Sequence, residues 1–108
     1  MNDQAHSNEI SDLEQTLRQA RAGQDAALTD LYNAYFERIY KFIYYRTSHK
    51  ETAEDLTEDV FVKVFKKLKG LEQLAAFEGW LFQIARNRVI DYYRSKKQLV
   101  PLEEVENT

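Results

Sequence analysis

The sequence predicts an all-α protein, a small bundle of four helices with no sheet. Glycine and proline, which a sheet protein needs for its many tight turns, number only 3 and 1 among 108 residues. Apolar residues recur with the period of a helix in four segments, and no segment alternates apolar and polar residues as a strand does. A chain of this length forms a single domain, and its 44% of apolar residues supplies one core.

The first two helices are predicted on either side of a glycine. We expect residues 1–10 to form a flexible leader and the first helix to occupy about 11–22, with Gly23 as its stop. The second helix is predicted over 25–47, with Asp25 as a favourable N-cap residue. Its apolar residues keep helical spacing throughout, which predicts one buried face. These residues are Leu28, Leu31, Tyr32, Tyr35, Phe36, Ile39, Phe42 and Ile43.

The third helix is predicted over about 51–69, and its start offers two alternative capping boxes. Ser48 with Glu51 has the required spacing, and so does Thr52 with Asp55, so the pattern does not decide between them. The apolar residues of this helix also recur at helical spacing and predict a buried face.

A loop and a fourth helix complete the predicted domain. Residues 70–76 break the apolar pattern and predict the loop. The fourth helix is expected over about 77–97, because Pro101 prevents much continuation. The acidic segment 98–108 is interpreted as the start of a linker to a further C-terminal domain.

Charge is segregated along the last two helices, although the net charge of the chain is only −3. The third helix begins with five acids and no base, namely Glu51, Glu54, Asp55, Glu58 and Asp59. It continues with bases alone, and the two helices together contribute nine: Lys63, Lys66, Lys67, Lys69, Arg86, Arg88, Arg94, Lys96 and Lys97. Complementation of the helix dipole explains the order of the signs. Dipole complementation explains less well why the two helices together carry nine bases.

Polar residues of the fourth helix are predicted to share one face. At 100° per residue, seven polar residues fall within about 140° of one another, an arc that they share with Ile90: Gln83, Arg86, Asn87, Asp91, Arg94, Lys97 and Gln98. Guanidinium, amide and ammonium groups contact phosphates and base edges, although an ordinary solvated face would show the same pattern. Arg88 falls on the apolar side, and we expect it to pair with an acid of a neighbouring helix.

Residue patterns of catalysis and metal binding are missing from the sequence. It has no cysteine, its two histidines lie in different segments, and its three glycines are scattered. We therefore predict that the chain is not an enzyme and holds neither metal nor cofactor. No apolar run is long enough for a signal peptide or a membrane span, and we expect a cytoplasmic protein.

Two stretches of the chain, 53–61 and 77–94, resemble region 2 of bacterial sigma factors. The second contains a W-L-x-x-I-A-x-N run that begins at Trp80, and residues 21–28 resemble the junction that opens the region. The similarity is greatest to the extracytoplasmic-function (ECF) group of the sigma-70 family. It extends over about 11–97, which we interpret as the region 2 domain.

The resemblance implies two binding surfaces. In the family, the acidic helix docks on the clamp helices of the RNA polymerase β′ subunit. The matching positions here are Asp55, Leu56, Glu58, Asp59 and Phe61. The following loop and helix recognise and open the −10 promoter element, and the loop captures a base flipped from the non-template strand. The matching positions for the base pocket run from Leu71 to Phe77. Asn87 matches a position that contacts a base edge, and the positions for phosphates are Arg86, Arg94, Lys96 and Lys97.

The implied partners are core RNA polymerase, single-stranded promoter DNA and an anti-sigma factor. Trp80, Phe61 and Ile39 are expected to stabilise the core. Two alternatives stay open: an adaptor that mimics a sigma factor and binds an anti-sigma factor without DNA, and a plain helical interaction module. The basic residues on the polar face of the fourth helix argue against such an adaptor, because a protein that does not bind DNA does not need them.

Overall fold

The protein folds as four α-helices, as predicted. A computed structural model describes the backbone of residues 2–99 and the side chains of residues 12–97. The helices are α1 (Asn2–Arg21), α2 (Asp25–Thr47), α3 (Lys50–Lys67) and α4 (Phe77–Leu99). Two short 3₁₀ turns, Leu68–Gly70 and Leu74–Ala76, lie between α3 and α4. No strand occurs within the described backbone, which confirms the all-α prediction.

The start of α1 and the end of α4 differ from the predicted boundaries. α1 begins at Asn2 and not near residue 11, because the apolar pattern that located it starts only at Leu13. α4 continues to Leu99. Apart from the last two positions of α4, the linker predicted over 98–108 lies outside the described residues.

The turn between α1 and α2 depends on a glycine. Gly23 has φ +89°, a left-handed conformation that costs glycine nothing and strains other residues. Its N–H donates to the Ala20 carbonyl at 2.9 Å, so the turn closes as expected. The prediction that Asp25 caps α2 is wrong. Gln24 holds the N-cap position without a side-chain hydrogen bond, and Asp25 is the first residue of the helix.

Neither predicted capping box forms at the start of α3. Ser48 is the left-handed residue that ends α2, with φ 57°, and its N–H donates to the Tyr44 carbonyl. Because Ser48 closes one helix, it cannot cap the next. His49 takes the N-cap position of α3 without a side-chain hydrogen bond. With only Ser48 and His49 between them, α2 and α3 pack as antiparallel neighbours.

One hydrophobic core joins all four helices. Ile39 and Phe61 are buried in it, and Trp80 packs against it while half-buried, in agreement with their predicted structural role. Thr57 is its one fully buried polar residue within 12–97, and the hydroxyl donates to the Ala53 carbonyl at 2.6 Å. The apolar side of α4 predicted from the helical wheel is buried too, with Tyr92 half-buried at its edge.

Candidate functional site

The acidic residues of α3 lie on its solvent side and form a surface that we call the acidic face: Glu51, Glu54, Asp55, Glu58 and Asp59. Leu56 and Phe61, predicted to contact polymerase with these acids, are only 3% and 1% exposed. They point to the opposite side of the same amphipathic helix, into the core. In this conformation their packing role is the one on view, and a polymerase contact by Leu56 or Phe61 stays a prediction.

Two of the acids are already held by neighbouring helices. Glu58 accepts a hydrogen bond from the Tyr32 hydroxyl of α2. This bond, with a smaller contribution from burial, raises the pKa of Tyr32 to about 12. Asp59 accepts two hydrogen bonds from the Arg88 guanidinium, at 2.9 and 3.1 Å, which confirms the predicted pairing of Arg88. Within residues 12–97, no ion pair engages Asp55.

A shallow cleft borders the acidic face and gives it an apolar side. Its volume is about 470 Å³, and it lies between α2 and α3. Phe36 and Tyr40 of α2 form the apolar wall, with their rings stacked at 6.4 Å, and Asp55 and Glu58 contribute the acidic side. Sequence reasoning assigned Phe36 to the core alone and left Tyr40 out. The i, i+4 spacing of Phe36, Tyr40 and Tyr44 was the available signal.

The polar face predicted on α4 is exposed to solvent. Arg86, Asn87, Arg94 and Lys97 all lie on it, and we call these four residues the basic face. Gln83 links two of them: it accepts from Arg86 and donates to the Asn87 side-chain oxygen, both at 3.0 Å. Gln83 therefore connects Arg86 with Asn87 along the exposed face of α4.

Lys96 lies apart from the basic face. Its ammonium group sits 5.8 Å from the centre of the Tyr92 ring, on the flank of α4 that packs toward the core. The position is exposed, so a phosphate contact by Lys96 stays a prediction.

Leu71 of the loop and Phe77, the first residue of α4, both turn inward. Leu71 is 8% exposed and Phe77 is 1% exposed. The Phe77 ring packs against Tyr35 at 5.4 Å and against Trp80 at 6.0 Å. Neither side chain is accessible to a DNA base in this conformation, so a base contact by either residue stays a prediction. Between them, the exposed residues are Glu72, Gln73, Ala75 and Ala76.

Glu78 fixes the start of α4 against α2. Its carboxylate accepts a hydrogen bond from the Tyr35 hydroxyl at 2.8 Å and pairs with Arg38 at 3.4 Å. The Tyr35 bond, more than Arg38, holds the pKa of Glu78 below its ordinary value. Burial, and then the bond to Glu78, raises the pKa of Tyr35 to about 12. The first turn of α4 is therefore set relative to α2 by a buried hydroxyl and a carboxylate.

Metal-ligand clusters and membrane-spanning helices are absent from the described part of the chain. No cluster of three potential ligands within it could hold a metal ion. None of its helices combines the length and apolar character that crossing a membrane requires. The molecule therefore presents two surfaces of opposite sign, and the Asp59–Arg88 pair links the helices that bear them.

Comparison with known proteins gives one consistent family. Residues 31–98 match the family described as Sigma-70 region 2. The ECF RNA polymerase sigma factor BldN of Streptomyces coelicolor is 38% identical over 82 residues, which cover 75% of this chain and 31% of that protein. The RNA polymerase sigma factor YlaC of Bacillus subtilis is 37% identical over 68 residues, or 63% of this chain and 39% of that protein.

A third relative, the ECF RNA polymerase sigma factor SigM of Bacillus subtilis, is 31% identical over 77 residues, covering 71% of this chain. The chain spans between 31% and 47% of the length of these three relatives. Their names are those of sigma factors, in agreement with the prediction that the chain is not an enzyme. The chain belongs to the sigma-70 family and is a region 2 domain of the ECF type.

Proposed function

We propose that this chain acts in transcription initiation, docking on RNA polymerase through α3 and recognising and opening the −10 promoter element through α4. The observation that carries the proposal is that α3 and α4 of one bundle bear exposed surfaces of opposite charge. An acidic surface attracts a basic partner and speeds its encounter, whereas a guanidinium and amide surface suits DNA. One domain can then bind both partners at once, in the cytoplasm where polymerase and promoter meet.

For the polymerase side, the acidic face and the neighbouring cleft act together. Asp55 and Glu58 supply charge for a basic helix of the β′ clamp, and Phe36 and Tyr40 supply apolar contact beside them. Asp59 contributes charge but is partly neutralised by Arg88. An apolar patch with a charged rim is the usual anatomy of a protein interface. The same surface would suit an anti-sigma factor, because blocking it prevents polymerase docking.

For the DNA side, Asn87 is proposed to read a base and its neighbours to hold phosphates. The amide both donates and accepts, and Gln83 occupies its oxygen, which leaves the NH₂ donors toward solvent. Arg86, Arg94 and Lys97 fix the register on the backbone without reading sequence. In this conformation the flipped base meets the exposed part of the loop, 72–76, since Leu71 and Phe77 are buried.

The proposed DNA function is tested by fluorescence titration of single-stranded −10 oligonucleotides, each varied at one base, with core polymerase present. Asn87→Ala should relax base preference, by about 1–3 kcal/mol of discrimination at one position. Arg94→Ala should weaken all sequences alike and reduce the salt dependence by about one unit of slope. Arg18→Ala, which removes an exposed arginine of α1, is the matched control and should bind like the parent.

Two outcomes would reject this reading. If Asn87→Ala kept the full base preference of the parent, α4 would not read the −10 element. If the parent chain bound polymerase but no oligonucleotide, the adaptor that mimics a sigma factor would be the better description.

A further inference from the structure

We propose that Arg21, the last residue of α1, is a positioning residue for promoter recognition. It ties α1 to the loop between α3 and α4 and thereby fixes the exposed segment 72–76 that faces the DNA base. The inference rests on the proposed −10 function of that loop. It adds a residue that lies outside the segment 31–98 matched by the family.

The contact is specific and joins distant parts of the chain. One terminal nitrogen of the Arg21 guanidinium donates to the Leu71 carbonyl at 3.0 Å and approaches the Glu72 carbonyl at 3.5 Å. The first bond is partly buried, and the second, longer one lies at the surface. A hydrogen bond from a charged donor is about twice as strong as one between neutral groups.

The backbone hydrogen bonds within the loop are local, and its packing comes from Leu71, which is buried, and Leu74, which packs against the core. Within it, the Leu71 N–H donates to Leu68 and the Ala76 N–H donates to Gln73, each closing a single turn. Between α1 and the loop lies a cavity of about 700 Å³, so side chains do not fill the space there. Arg21 crosses that gap to the carbonyls at positions 71 and 72, just where the exposed segment begins.

Arg18 shows that not every arginine at this end of α1 performs the same task. It lies one turn earlier and lines the same cavity, yet its guanidinium pairs with Glu14 of its own helix at 2.8 Å. Both arginines complement the dipole at the C-terminus of α1. Of the two, only Arg21 donates hydrogen bonds to the loop within the described residues, so Arg18 provides the matched control.

The test compares Arg21→Met, Arg21→Lys and Arg18→Met in the full chain. Hydrogen–deuterium exchange of amides 71, 76 and 77, which donate the backbone hydrogen bonds of the loop, reports the loop conformation. Oligonucleotide titration with core polymerase reports base preference at each −10 position. For Arg21→Met, loop exchange should rise on the order of tenfold, since a bond from a charged donor is lost. Base preference should fall while capture by polymerase stays at the parent level.

Arg21→Lys keeps one charged donor and should restore part of both properties, whereas Arg18→Met should behave like the parent in both. Unchanged exchange in Arg21→Met would overturn the proposal and leave Arg21 a dipole residue only. Raised exchange with unchanged base preference would overturn it as well, because the loop shape would then not matter for recognition. If the parent itself showed no base preference, the proposed function would fail, and the exchange result would still decide whether Arg21 anchors the loop.

Discussion

Substitution of Phe61 tests which of two roles its side chain has. The ring either stabilises the core or contacts polymerase, and the family motif allows both. Phe61 is 1% exposed, and its ring lies 5.1 Å from Tyr32, 6.3 Å from Phe36 and 6.2 Å from Phe65. We compare Phe61→Ala and Phe61→Leu with Val62→Ala, whose side chain is next in sequence but 50% exposed.

The expected magnitudes follow from burial. Truncation of a buried phenylalanine to alanine costs about 3–5 kcal/mol. A domain of this size is stable by roughly 5–15 kcal/mol, so Phe61→Ala should lower Tm by at least about 12 °C or prevent folding. Phe61→Leu keeps most of the volume and loses the ring contacts, at a cost of roughly 1–1.5 kcal/mol. Val62→Ala should stay within about 0.5 kcal/mol, as exposed positions do.

Thermal unfolding followed by circular dichroism measures these differences, and capture by immobilised core polymerase measures binding. Phe61→Leu should be destabilised and still be captured as strongly as the parent below its Tm. If Phe61→Leu instead unfolded like the parent and lost capture, Phe61 would belong to the interface, and the placement of this ring in the core would be refuted.

Two further predictions concern side chains that are joined by hydrogen bonds between helices. The folded-state pKa of Tyr35 is raised from 10.0 to about 12, so the stability it contributes is complete below pH 10 and is lost as the pH rises toward 12. Tyr35→Phe should flatten the fall of Tm over that range, and an equal fall in both proteins would contradict the assignment. Asp59 and Arg88 are 52% and 32% exposed, so a double-mutant cycle with alanine should give a coupling of only about 0.2–1 kcal/mol. A coupling above about 2 kcal/mol would show that the pair is a main support of the α3–α4 contact.

The fold was predictable because the helices carry clear apolar periods and distinct stops. The bounds of α2 agree with the prediction, and so does the start of α4 at Phe77. The N-caps were not predictable, since Ser48 matches a capping pattern but serves as the left-handed residue that ends α2. Residue type alone does not show which of two adjacent helices will use a serine.

The helical wheel predicted correctly which residues of α4 are exposed. The family motif was less accurate for α3, because it does not distinguish exposed from buried positions. The wheel placed Arg86, Asn87 and Arg94 on one exposed face of α4, as the structure does. In α3 the motif mixed Asp55 with Phe61, although these residues point to opposite sides of the helix. The Arg21 contact to Leu71 spans 50 positions, and no local pattern could indicate it.

Charge reversal on the acidic face is the most direct test of whether this face binds polymerase. The parent, Asp55→Lys/Glu58→Lys and the control Asp30→Lys/Glu37→Lys are compared for capture by immobilised β′ clamp helices. The control carries the same change in net charge on exposed residues of α2 that do not line the cleft. We expect Asp55→Lys/Glu58→Lys to bind at least about 100-fold more weakly than the parent with an unchanged helical spectrum, because like charges then meet across the interface. The control should bind like the parent. Equal capture of all three proteins would show that the acidic face does not bind polymerase.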